Sequence, residues 1–314
     1  MALPTNTYTT YDQKGLREDL SNIIYDISPE ETPLLSGIAR VKATNTIHSW
    51  QTDTLRASAV NKHLEGDDTT AQAQTPTVRL QGSSQIFKNA VVTTGTDTAV
   101  NAAGRGKAMA YAILRVAKEQ KLDIEAALFS NVATNAGGNG TIRTLGGLPA
   151  WVKTNVVNVG ANGANPIGDG SNTRTAGALS VFNQTKFDSA MQKVWVSGGK
   201  PDCVYLNSFQ MNKALGFTGN NNQRSTGATG KVSQLINVYM TPWGSVDFIP
   251  VREVIANQVY IIQRDKLAFA ELRPMASTEL AKTGDNSMRQ IISEGTLEVR
   301  NESALGLITD CTIT

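Results

Sequence analysis

The sequence predicts an α+β fold, and three observations carry that prediction. One long apolar stripe at helical spacing runs from about Lys107 to Asn131. Strand-favouring but hydrophobic-poor sequence fills Thr46 to Thr94, and alternating sequence returns over the last part of the chain. Between them, a helix–strand–helix pattern occupies Thr185 to Leu215. With 314 residues, the chain is long enough for one large domain or two smaller ones.

In order, the first forty residues read as an arm and a short helix. Ser28 is placed as N-cap, Pro29 at the first helical position and Glu31 at the third, reaching back. Pro33 and Gly37 keep that helix brief around Leu34, Leu35 and Ile38. A stub this short cannot bury its own apolar face and must dock elsewhere. Ile47–Thr52 then leads out, and Thr77–Leu80 with Ile86–Val92 leads back, around the charged turn Asn61–Asp68. This is a long two-stranded ribbon with a polar tip. Such a hairpin is marginal alone in water, so it joins a sheet of its own chain or lies on a neighbouring subunit.

The long helix places Met109, Ala112, Ile113, Val116, Ala117, Ile124, Ala127 and Leu128 on one face. Arg115 with Glu119, and Lys121 with Glu125, are spaced as opposite-charge pairs on the polar side. Its start is ambiguous because Gly104 and Gly106 permit an extension back to Asn101. Gly- and Asn-rich loops follow at Asn135–Gly140 and Asn158–Gly170, flanking the apolar Leu145–Trp151. A helix over about Thr185–Val196 turns Phe187, Met191, Val194 and Trp195 inward, and Gly198-Gly199 stops it. Cys203–Leu206 reads as a buried strand and Ser208–Leu215 as a short helix. The loop Gly219–Gly230 precedes strands at Val232–Met240, Ser245–Pro250 and Val259–Ile262. Glu294–Arg300 and Leu305–Ile313 alternate in period two, as two long antiparallel strands with one wet face would.

Composition narrows the function. The 29 Lys and Arg against 27 Asp and Glu leave a net charge of +2, too balanced for a dedicated nucleic-acid binder. The first residues carry no secretory signal pattern, no apolar run is long enough for a membrane span, and both points predict a chain kept in a cytoplasm. Cys203 and Cys311, far apart in sequence, are expected as reduced core thiols. The only histidines, His48 and His63, have no ligand-spaced partners, so no metal centre is predicted. Gly227–Val232 fails as a phosphate loop because Ser225 and Val232 stand where glycine and Ser/Thr are required, and Gly137–Gly140 fails as a dinucleotide fingerprint. The acidic pairs Glu30-Glu31, Glu294/Glu298 and Glu271/Glu279 are explained by capping, strand faces and surface pairing. No catalytic residue and no cofactor is assigned. An arm, a ribbon and loops without an internal partner favour an assembly protein over an enzyme.

Several stretches resemble a known family. Ile27–Leu34, Glu271–Pro274, Leu280–Asp285 and Gln290–Asn301 are similar to tailed-bacteriophage major capsid proteins of the Hong-Kong-97 capsid fold, with Gly198–Asp202 as a weaker echo. The resemblance covers essentially the whole chain. It implies an N-terminal arm (1–43), an extended β-loop (44–96), a peripheral domain with the spine helix (97–178 and 260–314) and an axial domain (179–259). It further implies a subunit that closes with identical copies into hexamers and pentamers of an icosahedral shell around double-stranded DNA, without sequence-specific binding. A portal, a separate scaffold protein and a decoration protein are the implied partners, and the virion its location. Trp50, Lys62, His63, Glu65, Asp67 and Asp68 are the expected assembly contacts. A covalent crosslink through Lys62 is not expected, since no catalytic glutamate can be matched. A nanocompartment shell on the same fold and a decoration or tail protein remain as alternatives.

Overall fold

The computed structural model describes residues 31–68, 71–100, 107–217 and 238–313. The helix start at Ser28–Glu30, the possible extension of the spine helix to Asn101, the loop Gly219–Gly230 with Gly227–Val232, and the strand expected from Val232 up to Val238 lie outside the described residues.

The first helix, α1 (Pro33–Gly37), is followed by β1 (Ala39–Lys42), β2 (Ile47–Thr52), β3 (Val78–Ser83), β4 (Gln85–Thr94) and α2 (Gly95–Ala99). The spine helix α3 (Ala108–Phe129) precedes the single turn α4 (Leu148–Trp151) and β5 (Val156–Val157). Next come α5 (Gln184–Val196), β6 (Cys203–Leu206), α6 (Ser208–Leu215), β7 (Val238–Thr241), β8 (Gly244–Pro250) and β9 (Val259–Ile262). The long strands β10 (Leu267–Glu279) and β11 (Asn286–Val299) and the short β12 (Gly306–Ile308) complete the chain. Among the described residues three sheets form, ordered β1-β10-β11-β4, β5-β12-β9-β6-β8-β7 and β2-β3.

Pro33 opens the first helix instead of limiting it. Glu31 and Thr32 are not helical, so Glu31 is not the third helical residue that the sequence suggested. Proline suits the first helical position, where its missing N–H would have had no partner. Leu34 and Leu35 are buried against the spine helix, which they touch through hydrogen bonds described below.

The four-stranded sheet is layered. Gln120, buried on α3, donates from Nε2 to Phe87 O at 3.1 Å and Ser293 Oγ at 2.7 Å. The helix thus covers the sheet face formed by odd-numbered β11 residues, where Leu297 and Val299 meet Leu267 and Phe269 of β10. Ile124, Leu128, Phe129 and Trp151 close the same core, and Tyr205 and Tyr260 extend it under the six-stranded sheet. A second core, rich in aromatics, packs Phe187 of α5 within 5.4 Å of the Phe248 ring and 5.5 Å of the Tyr239 ring.

Three expectations change here. Ile86–Val92 does not return along the ribbon; it is part of β4, paired antiparallel with β11. Leu305–Ile313 is not a long partner of Glu294–Arg300. Only Gly306–Ile308 is strand, lying between β5 and β9 in the other sheet, because Asp310 takes φ +52° and turns the chain. Arg174 (Nη2 to Oδ2, 2.6 Å) and the Gly160 N–H (3.0 Å) hold the Asp310 carboxylate. Burial opposes its ionisation, but these donors outweigh it and keep the carboxyl below the usual range. Trp195 points outward and is 56% exposed, whereas Phe187, Met191 and Val194 are buried as expected. The stop of α5 is as read. Gly198 takes φ +87°, and the Gly198 and Gly199 N–H groups bond back to Trp195 O and Val194 O, a Schellman cap. Cys203 and Cys311 are free and buried, and burial pushes their thiols up to about 12 and about 11.

Candidate assembly surface

The β2–β3 ribbon has a root fixed to the subunit and a tip that is not. At the root, the even-numbered residues Glu294, Thr296 and Glu298 of β11 project from the sheet face opposite the spine helix. Gly82 of β3 lies against them so closely that a Cβ there would stand 2.8 Å from Thr296 Oγ1. Trp50 donates from Nε1 to Val299 O at 2.7 Å and packs its ring 5.4 Å from that of Trp151. His48 Nε2 lies 2.8 Å from Glu298 Oε2, while Arg300 Nε donates to the other oxygen at 2.9 Å. One step along, Glu294 is 4% exposed at its side chain and accepts from Arg143 (2.6 Å), Arg273 (2.8 Å) and Ser84 (2.9 Å). Ser83 N–H donates to Thr134 Oγ1 at 3.0 Å.

The wet strand face read from Glu294–Arg300 is therefore covered. Alternation placed the acids on one face correctly, but the ribbon root closes over that face, where arginine, histidine and serine side chains meet both carboxyl groups. Of the other acidic pairs, Glu271 meets Arg40 (2.6 Å) and Glu279 meets Arg289 (3.5 Å), as surface pairing implied. Arg115 and Glu119 pair at 2.9 Å. Lys121–Glu125 does not hold as a polar-side pair, because Glu125 is fully buried.

At the tip, every described residue from Asp53 to Arg79 is exposed. Among the described residues, the hydrogen bonds of 53–68 reach no further than a few positions along the chain: His63 to Asn61 at 2.7 Å, and the Asp67 N–H to Leu64 O at 3.2 Å. His63 Nδ1 stands 3.9 Å from Asp67 Oδ2. Lys62, Glu65 and Asp68 lie at the same turn, exposed. Leu55, Val60 and Leu64 are 97%, 80% and 82% exposed, a loss of about 25 cal/mol for each Å² of apolar surface left wet. The structure thus gathers five of the six expected contacts at the tip and places Trp50 at the root, half-buried.

No group of three metal-ligating side chains occurs among the described residues, and no described helix is long and apolar enough to cross a membrane. Set beside known proteins, this geometry has a clear counterpart. Residues 3–312 match the family model described as SU10 major capsid protein. The chain belongs to that family. A curated relative, the major capsid protein of Escherichia phage Phieco32, is 27% identical over 346 aligned positions, covering 98% of this chain and 97% of the relative. Among solved structures, the cyanophage A-1(L) capsid asymmetric unit superposes with a TM-score of 0.67 at 13% identity, covering 97% of this chain and 98% of that one. The capsid of a native GTA particle gives 0.63 at 13% identity, over 96% and 98%. The fold is that of the Hong-Kong-97 capsid proteins, and the chain is a phage major capsid protein. In this capsid protein β2–β3 with its tip is the extended loop and α3 the spine helix.

The capsid protein's sequence concealed three features of this fold. The strand β10 was not read from Leu267–Glu279, because Pro274 and two register shifts near it interrupt the pattern. The arginines of the Glu294 cluster come from separate segments at positions 143 and 273. Glu125 had a usable signal: it falls among Ile124, Leu128 and Phe129 on the helical wheel, inside the apolar face.

Proposed function

We propose that this capsid protein closes with identical copies into hexamers and pentamers of an icosahedral head enclosing double-stranded DNA, with the extended loop lying on a neighbouring subunit. The observation that carries this reading is the tip from Asp53 to Asp68, which exposes apolar side chains and whose hydrogen bonds reach no further than a few positions along the chain. A second copy supplies the missing cover. Lys62, His63, Glu65, Asp67 and Asp68 form its polar contacts, and Trp50 sets the angle at which the loop leaves the root. Many modest contacts repeated by symmetry make closure cooperative while each stays reversible.

The division into arm (1–43), loop (44–96), peripheral domain (97–178 and 260–314) and axial domain (179–259) is part of this reading. So are a portal, a scaffold and a decoration protein as partners, synthesis in the host cytoplasm, and a structural rather than enzymatic role. The net charge of +2 suits a wall around DNA whose charge is largely neutralised by counterions. Negative-stain microscopy with sedimentation over a range of salt and protein concentrations tests it. Closed shells, or rings of five and six, are expected. A monomer under every condition, persisting on co-expression with the neighbouring genes, would sink it.

A further inference from the structure

We infer that Glu125 of the spine helix is a proton-sensitive latch for α1, holding this helix firmly in acid and loosening it as pH rises to neutrality. This concerns contacts within one subunit and stands whether or not the shell reading holds.

The geometry is that of a helix cap supplied from a distance. The first N–H groups of a helix lack partners within it. In α1 the Thr32 side chain makes no capping bond. Instead the Leu34 N–H donates to Glu125 Oε1 and the Leu35 N–H to Glu125 Oε2, each at 2.8 Å across some ninety positions of sequence. One carboxylate thus spans both donors, and α1 covers it.

The surroundings decide the sign. Burial pushes the Glu125 carboxyl up to about 7, the Leu35 and Leu34 N–H groups pull against that, and the like charge of Glu253 adds to the rise. Tyr205 of β6 faces the same place, its hydroxyl kept neutral by burial. Arg264 and the Tyr205 hydroxyl lie 3.2 and 3.4 Å from where a Cβ on Gly37 would sit, at the other end of α1. Arg264 is held charged, chiefly by its bond to Asp202. Lys118 and Lys121, two turns and one turn earlier on α3, line the notch beside α1 with Glu31.

Docked, Glu125 keeps its proton to about pH 7, while hydrated after undocking it would titrate near the ordinary 4.5. The docked state therefore binds the extra proton. Docking is at full strength below the lower value, weakens as pH climbs from the lower to the higher, and levels off above it. The two amide donors limit the loss, so the ionised latch loosens instead of opening.

Hydrogen-exchange mass spectrometry on the full chain, at pH values from 5.5 to 8.5 and corrected for intrinsic exchange, reads the latch directly. Protection of the Leu34–Ile38 amides should fall about tenfold to thirtyfold across that range, whereas α5, capped by the amide side chain of Asn183, should stay level. Glu125→Gln should flatten the α1 profile. Equal slopes in α1 and α5 of the unaltered protein, or a slope retained in Glu125→Gln, would overturn the inference. The unaltered profile decides alone if the variant does not fold.

Discussion

The root and the tip of the extended loop are one continuous segment under opposite physical rules. The root is held by directed polar bonds: Glu294 with two arginines and a serine, Glu298 with His48 and Arg300, and Trp50 on a backbone carbonyl. Among the described residues, the tip from Asp53 to Asp68 has local bonds and wet leucines. Directed contacts fix an angle, and an uncovered surface waits for a partner. The loop can therefore leave each subunit in a defined direction while its affinity stays unspent until a neighbour arrives.

Breaking the root is expected to have the largest effect on the isolated subunit. Glu294→Leu leaves Arg143 and Arg273 without their shared carboxylate and should cost about 3 kcal/mol, the low end for a broken buried pair because both arginines are partly exposed. Urea denaturation measures this, and an unchanged midpoint would show the cluster to be ornamental. Trp50→Ala comes next, at about 2–3 kcal/mol, below the range for a fully buried Trp. The same variant should raise amide exchange through β2 and β3 while leaving β6 and β9 protected.

The tip should invert that result. With Glu65, Asp67 and Asp68 all changed to Lys, the denaturation midpoint should not move, since these side chains are exposed, but sedimentation should show assembly lost or shifted to higher protein concentration. Assembly as in the unaltered protein would remove the acidic turn from the interface. The smallest change sharpens the contrast between buried and exposed charge. Removing the exposed Arg115–Glu119 pair, 2.9 Å apart on the spine helix, should cost no more than about 0.5 kcal/mol in a double-mutant cycle.

What was legible in the sequence follows the range of the forces involved. Spine helix, α6, β6 and β9 announced themselves through local periodicity and caps, since each is decided by neighbours in sequence. The charged tip was legible for the same reason. The root was not, because its clusters join positions 48, 84, 143, 273, 294 and 298, and nothing in a single segment encodes which arginine will meet which glutamate. Period two correctly separated the faces of β11 but could not say that another part of the chain would cover the wet one. Glu125 shows the intermediate case: its spacing from Lys121 led to a reading on the polar side, although its place among Ile124, Leu128 and Phe129 argued for the inside, where the amides of α1 hold it.

The burial of Cys203 and Cys311 has a practical consequence. A thiol reacts as its thiolate, and in this fold both sulfurs are shielded and held well above neutral titration. These being the two cysteines of the chain, the native subunit should take up little maleimide. A cysteine introduced at Lys62 would therefore take a fluorophore alone, without first stripping the protein of its own. The loop tip becomes an addressable position, from which the arrival of a neighbouring subunit can be followed as a change in emission.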